Sequence, residues 1–185
     1  MARPLDHAKR AELLHGVVEY IAANGLAELS LRPLAAAIGT SSRMLIYYFD
    51  TKEELLVQAL ATQRPDIAAL FADIADASAL RECLTDFFES SLSGDGATSV
   101  RVLLQVLGAA CAPGSPYARY AHDAIATFVA ELSAALRRVD ISDDTEAVAT
   151  LLISGLRGVI QDRLITGDVA RTARAAQRLI EQSIH

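Results

Sequence analysis

Residues 25–55 read GLAELSLRPLAAAIGTSSRMLIYYFDTKEEL, and this stretch decides the fold. Gly25 ends a preceding helix, because glycine adopts the left-handed conformation found at helix C-termini without a steric penalty. Ser30 can cap a short second helix, which ends at Gly39. The stretch therefore predicts two short helices that are separated by a glycine turn.

A third helix is predicted to start at a cap formed by Thr40 or Ser41 and to run to about Tyr48. Leu45 and Phe49 are four residues apart, so they share one face of this helix. We expect that face to pack beneath the two helices that precede it.

The opposite face of the third helix combines a hydroxyl, a basic group, an aliphatic group and an aromatic ring, at Ser42, Arg43, Ile46 and Tyr47 respectively. Arginine can bind guanine through two hydrogen bonds, and isoleucine can contact the methyl group of thymine. Serine and tyrosine can reach phosphates or base edges. The alternative is an ordinary amphipathic helix with a solvated face.

The flanking segments also read as helices. Apolar residues recur with helical spacing before Gly25, at Leu13, Leu14, Val17, Val18 and Ile21. A fourth helix opens near Thr51, with Glu53 and Glu54 in its first turn, where negative charge suits the helix dipole. Pro65 is predicted to lie in the first turn of the next helix.

The remainder of the chain fits a series of helices with joints rich in glycine, proline and aspartate. The predicted helices are 66–75, 79–92, 98–111, 116–138, 143–165 and 169–183, and the joints are 93–96, 112–116, 140–143 and 166–168. The predicted fold is therefore all-α. It comprises a helix-turn-helix domain at 1–50 and, with a linking helix from about 51, a helical effector-binding and dimerisation domain at 51–185.

The composition limits the class of protein. With 52% hydrophobic and 22% charged residues, the 185-residue chain can bury a core and is not disordered. No apolar run approaches the roughly 18 residues of a membrane span, and the N-terminus has no signal-peptide core. Cys83 and Cys111 belong to no C-x-x-C pair, and we expect them to be free thiols in a reducing compartment. We expect a cytoplasmic protein with no membrane partner.

The net charge of −6 is unevenly distributed. Residues 1–52 hold six basic and five acidic residues, a net charge of +1, and residues 53–185 hold 11 basic and 18 acidic residues, a net charge of −7. Phosphate repels the acidic remainder, so this asymmetry orients the N-terminal end toward DNA.

Six short motifs in the stretch, almost without gaps, form a family pattern: Gly25-Leu26, Leu29-Ser30-Leu31-Arg32, Leu34-Ala35, Gly39-Thr40-Ser41, Leu45-Ile46-Tyr47-Tyr48-Phe49 and Lys52-Glu53-Glu54-Leu55. Over about residues 9–60 the chain resembles the DNA-binding domain of the TetR family of transcriptional regulators. The rest resembles that family only in being helical. The chain departs from the pattern at Ile46, where many relatives carry tyrosine, and at Met44, where a hydroxyl often contacts phosphate.

The resemblance implies roles for individual residues. The residues expected to contact bases are Ser42, Arg43 and Ile46, and Arg32 can approach the bases from the second helix. The residues expected to contact phosphates are Ser30, Tyr47, Tyr48 and Lys52. The complete predicted DNA-binding set is Ser30, Arg32, Thr40, Ser41, Ser42, Arg43, Ile46, Tyr47, Tyr48 and Lys52.

The resemblance also implies a homodimer formed by the last two long helices as a four-helix bundle. The sequence offers two apolar surfaces for it: Val148, Leu151, Leu152, Gly155, Leu156 and Val159 on one helix, and Ala173, Ala176, Leu179 and Ile180 on the other. Gly155 and Gly158 would each destabilise a helix by roughly 1 kcal/mol relative to alanine, which close helix approach would offset. The alternative is that these faces are buried within one subunit.

A ligand pocket is mostly apolar with a few converging polar groups. Polar or aromatic residues on otherwise apolar helices are candidates for such a site, namely Arg101, Gln105, Tyr120, Phe128, Ser154 and Arg157. The alternative is that the polar residues are solvated and the aromatic residues belong to the core.

The sequence therefore predicts a DNA-binding transcriptional regulator. The resemblance implies a repressor of a palindromic operator that an unidentified small molecule releases. No motif for catalysis, a metal or a cofactor is recognisable, so we expect no enzyme. Two alternatives stay open: an all-α enzyme or ligand carrier with a vestigial DNA-binding unit, and a constitutive repressor without a ligand.

Overall fold

The computed structural model describes residues 6–26, 29–141 and 143–184. Within these residues it contains ten helices and no strand. The all-α prediction is therefore confirmed. Ser142, in the predicted joint before the ninth helix, lies outside the described residues. The helices are α1 (His7–Asn24), α2 (Leu31–Ala37), α3 (Ser42–Phe49), α4 (Lys52–Ala61), α5 (Ile67–Phe71), α6 (Ala77–Ser90), α7 (Gly94–Ala110), α8 (Ala118–Arg138), α9 (Thr145–Thr166) and α10 (Val169–Ser183).

Side-chain caps set where the N-terminal helices begin. The Asp6 carboxylate accepts a hydrogen bond from the backbone N–H of residue 9 in α1, and the Thr51 hydroxyl accepts one from residue 54 in α4, both at 3.0 Å. Ser41 caps α3 by accepting from the N–H of residue 44 at 3.2 Å. Ser30 occupies the cap position of α2, but its side chain makes no capping bond. The predicted position is right, and the hydroxyl is left for another partner.

Two predicted boundaries are wrong for identifiable reasons. Pro65 lies outside α5, because Asp66 caps that helix and places the proline before the cap. Helix α7 begins at Gly94, inside the segment that we predicted to be a joint. A side chain at Gly96 would overlap the backbone carbonyl of Ser90. The glycines therefore let a helical turn form close to the end of α6, rather than a loop.

The first of two compact units combines the described residues up to 64 with residues 98–121. In this unit α1 packs on α4, and α3 packs on both α2 and α4. Its core is a continuous apolar cluster that includes the predicted stripe of α1, all of it at most 5% exposed: Leu13, Leu14, Val17, Val18 and Ile21. The predicted division near residue 50 separates functions, whereas the two compact units are defined by contacts between residues. The division therefore stays a prediction.

The second unit comprises residues 65–97 and the described residues from 122 onward. Helix α10 packs on α9 and on α6, and α5 packs on α6. None of the described helices combines the length and the apolarity that crossing a bilayer requires.

Candidate DNA-binding surface

Helix α3 is held in place by its apolar face. Leu45 is fully buried and Phe49 is 1% exposed, as the four-residue spacing predicted. The guanidinium of Arg10, from α1, lies over the Phe49 ring at 5.3 Å from its centroid. Burial of these two side chains fixes the rotation of α3 about its axis, so the opposite face must point outward.

The outward face of α3 is unusually apolar for an exposed surface. Met44, Ile46 and Tyr47 are 40%, 39% and 55% exposed, and Arg43 is exposed beside them. Arg43 makes no hydrogen bond or ion pair with any described residue. Ser42 is half-buried. This face offers a guanidinium without a partner and an aliphatic side chain, which are the groups that read a major groove directly.

The turn before α3 carries two of the predicted contacts. The backbone N–H of Thr40 donates to the carbonyl of Ala35 at 2.8 Å, which closes the turn after α2. The Ser41 hydroxyl oxygen is the cap of α3, yet a hydroxyl that accepts a bond still has its own hydrogen to donate. Both residues therefore have a structural role, and their contact with DNA stays a prediction.

Ser30 and Arg32 lie at the start of α2, and both are exposed. The Ser30 hydroxyl is not used as a cap, and Arg32 has no partner among the described residues. The two side chains can therefore donate to phosphate oxygens without breaking a hydrogen bond to another described residue.

Lys52 has a role that its sequence position did not reveal. Its ammonium donates to the backbone carbonyl of Leu29 at 2.8 Å, so α4 is tied to the residue that precedes Ser30. An ammonium has three donors, and two of them remain for a phosphate. Tyr48 is half-buried, with its ring edge-on to that of Tyr47 at 5.4 Å between centroids.

The six predicted ligand residues are divided between the two units. In the first unit Arg101 is exposed, Gln105 is half-buried and Tyr120 is 7% exposed. The Tyr120 hydroxyl donates to the carbonyl of Leu60 at 3.1 Å, and the guanidinium of Arg64 lies 4.4 Å from the centre of its ring. Burial raises the pKa of Tyr120. Tyr120 therefore anchors the end of α4.

In the second unit Phe128 packs edge-on against Phe71 and Phe87, with ring centroids 5.9 Å and 5.2 Å away. Ser154 is exposed, and its hydroxyl accepts a long bond of 3.4 Å from Arg157. A surface groove of about 590 Å³ in this unit is lined by His122, Ile125, Ala126, Val129, Ala130, Ser133, Arg137, Glu146 and Thr150. None of the six residues lines this groove, and all six stay predictions.

Titratable side chains do not assemble into a metal centre in the part of the chain that the structure describes. Clusters of three or more histidine, cysteine, aspartate or glutamate residues with the spacing of a metal site do not occur there. The first unit instead presents hydrogen-bond donors around α2, α3 and the start of α4, from Ser30, Arg32, Arg43 and Lys52.

The segment that carries these donors matches the sequence model of a known protein family. Residues 13–59, from α1 to α4, match the model of bacterial regulatory proteins of the tetR family. These residues carry the DNA-binding domain of the TetR family. The match includes the helix-turn-helix, so the chain is a DNA-binding transcriptional regulator.

Solved structures show that the fold of TetR regulators extends over nearly the whole chain. A transcriptional regulator from Rhodococcus sp. Rha1 is similar with a TM-score of 0.78 and 22% identity, over 94% of each chain. A TetR regulator from Legionella pneumophila gives 0.78 and 19%, over 99% of this chain and 100% of its own. One from Haloarcula marismortui gives 0.79 and 18%, over 97% of each chain. At these identities the likeness shows the fold alone. No curated protein matches this chain.

Proposed function

We propose that this protein is a dimeric repressor that reads a palindromic operator with α3 of each subunit and leaves it when a small molecule binds the helical body. DNA as the partner implies a cytoplasmic location. The observation that carries the proposal is the outward face of α3, where Arg43 has no partner among the described residues and Ile46 is 39% exposed. Direct readout needs such groups at the surface before DNA arrives.

A second exposed apolar surface supports a dimer. Leu151 and Ile165 on α9 are 64% and 75% exposed, and Val169 at the start of α10 is 60% exposed. Leu151, Gly158 and Ile165 are seven residues apart, so they lie on one face of α9. We call these three residues the outer stripe. Apart from the neighbouring backbone of α9 itself, no described residue lies within 4 Å of a Cβ built at Gly158, which leaves room for a partner helix.

The outer stripe shares Leu151 with the apolar surface predicted on α9, but the other predicted residues differ from it. Leu152 and Leu156 are at most 3% exposed, so they belong to the core of their own subunit. A side chain at Gly155 would overlap Leu179, which shows that this glycine serves the contact between α9 and α10. The alternative of burial within one subunit therefore holds for these residues. The last two helices can still form the dimer through the outer stripe.

Dimerisation supplies the geometry that the operator requires. Two recognition helices about 34 Å apart enter successive major grooves on one side of the duplex. A ligand that binds one spacing of these helices better than the other shifts the population toward it and so weakens operator binding. Arg157, in the second unit, is the charged residue that we propose for effector recognition.

Selection from random duplexes, followed by sequencing and mobility shift, tests the proposal. We expect an enriched palindrome whose half-sites are separated by about one helical turn. Small molecules that abolish the shift are then effectors, and Arg157→Ala is expected to weaken their effect while operator affinity is retained. Failure to enrich any sequence would contradict the operator. A shift that no metabolite extract reduces would favour the constitutive repressor.

A further inference from the structure

Gln105, on α7, makes contacts with the backbone at the end of α1. Its side-chain oxygen accepts a hydrogen bond from the N–H of Leu26 at 2.7 Å. Its amide nitrogen faces the carbonyl of Ile21 at 3.5 Å, which is a long hydrogen bond. The same carbonyl accepts the N–H of Gly25 at 2.9 Å, which closes α1. One side chain therefore clamps the point at which the chain leaves α1 for the helix-turn-helix.

Gly25 forms the turn that the clamp holds. Gly25 has a φ of +85°, a conformation that residues with a side chain rarely adopt. A Cβ at this position would lie 3.5 Å from the Gln105 oxygen, in contact with it. This distance is an ordinary van der Waals contact, so the backbone conformation, and not the space at the Cα, is what favours glycine beside the clamp.

The clamp is the first link of a series of hydrogen bonds that ends at the DNA-binding surface. The carbonyl of Leu26 accepts the N–H of Leu29 at 3.3 Å. The carbonyl of Leu29 accepts the ammonium of Lys52 at 2.8 Å. The three bonds connect α7 with the start of α4 and pass the residue before Ser30. Ser30 and Lys52 are both predicted phosphate contacts.

We propose that Gln105 is a positioning residue for operator binding. By fixing Leu26 and Leu29, its amide holds Ser30 and the ammonium of Lys52 at the spacing that the operator phosphates require. The inference rests on the proposed function, because it presupposes an operator. It differs from the prediction that Gln105 orients an effector, since it makes operator affinity itself depend on this side chain.

Two substitutions at Gln105 test the proposal on the full-length protein with the selected operator. Gln105→Leu removes the acceptor at nearly constant volume, and we expect operator affinity to fall about tenfold, the effect of one lost hydrogen bond of this kind. Affinity for a scrambled duplex should be unchanged, because non-specific binding depends on charge more than on geometry. Gln105→Glu keeps an acceptor for the Leu26 N–H and should restore most of the operator affinity.

Hydrogen exchange of the Leu26 amide gives a readout that general destabilisation would not reproduce. We expect faster exchange at this amide in Gln105→Leu, near-normal exchange in Gln105→Glu, and no change in the control Gln177→Leu, which removes an amide from α10. Gln105→Leu that binds the operator as tightly as the unmodified protein would overturn the inference. So would a loss of affinity with the Leu26 amide still protected. An unmodified protein that binds no operator would contradict the proposed function itself.

Discussion

Asp50 joins α3 to α4 in a backbone conformation that few residues adopt. Its φ is +64° with a ψ of −56°, and the N–H of Thr51 donates to the carbonyl of Phe49 at 2.7 Å across it. A non-glycine residue in such a conformation costs on the order of 1–3 kcal/mol. The tight turn brings Lys52 close to the end of α3.

We expect Asp50→Gly to raise the free energy of unfolding by about 1 kcal/mol, because relief of the strain exceeds the extra entropy that glycine gives the unfolded chain. Asp50→Ala is the matched control, since alanine removes the carboxylate but keeps the Cβ. Urea denaturation should rank the three proteins glycine, aspartate, alanine in decreasing stability. An alanine variant at least as stable as the glycine variant would contradict a strained turn.

Individual residues also show what the sequence could predict. The burial of Leu45 and Phe49 followed from periodicity, because a four-residue spacing allows only one helix face. The bond from Lys52 to Leu29 did not, because a contact 23 residues apart in the chain depends on how three helices pack. The same holds for Gln105, whose partner is 79 residues away.

At the scale of the element, the joint between α9 and α10 is stabilised by charge. Arg171 donates to both oxygens of Asp162, at 2.6 and 2.7 Å, and lies 3.2 Å from an oxygen of Asp168. The hydrogen bonds from Arg171 lower the pKa of Asp162, and the backbone N–H of Arg171 lowers the pKa of Asp168. These bonds tie together two helices that we place near the dimer surface.

Arg171→Met should lower the melting temperature at neutral pH, and this difference should disappear in acid. A carboxylate whose pKa is lower in the folded state stabilises the fold above its unfolded value. That stability is lost as the pH falls through the folded-state value, which for Asp162 lies below the ordinary 3.8. Thermal unfolding between pH 7 and pH 2, which extends below the ordinary value, measures this, with Arg178→Met as control for loss of a charge from α10. A difference that persists at low pH would show that packing, not charge, is responsible.

Helix boundaries were less predictable than the existence of the helices. The predicted segment 169–183 and the helix α10 coincide, because Asp168 caps it by accepting the N–H of residue 171 at 3.0 Å. The start of α7 was missed, because glycines signal a loop when only the sequence is known. Here the absence of a side chain at Gly96 allows close packing on Ser90 instead.

At the scale of the whole molecule, exposed apolar side chains concentrate on a few surfaces. Among the described residues the large ones are Met44, Ile46 and Tyr47 on α3, Ile125 on α8, Leu151 and Ile165 on α9, and Val169 on α10. Exposed apolar clusters on a folded chain mark surfaces that bind something. From the family pattern, the sequence predicted DNA contacts at two of the three exposed apolar residues of α3, Ile46 and Tyr47. It did not separate the outer stripe from the subunit core, because both faces of α9 are apolar.

Leu151→Arg and Leu152→Arg distinguish these two faces of α9. Leu151 is 64% exposed, so we expect Leu151→Arg to yield a folded monomer with reduced operator affinity. Leu152 is fully buried, and an unpaired guanidinium there should destabilise the subunit by several kcal/mol. Sedimentation and circular dichroism of both variants measure the outcome. A fully dimeric Leu151→Arg protein would place the interface elsewhere.

The most direct test of the central claim is the affinity of Arg43→Ala for the selected operator and for a scrambled duplex. If the exposed guanidinium on α3 reads a base, its removal should cost roughly 1–3 kcal/mol on the operator and leave scrambled DNA almost unaffected. Lys52→Met is the comparison, because loss of a phosphate contact should weaken binding to both duplexes. Equal weakening of both duplexes by Arg43→Ala, or none, would contradict base reading by α3.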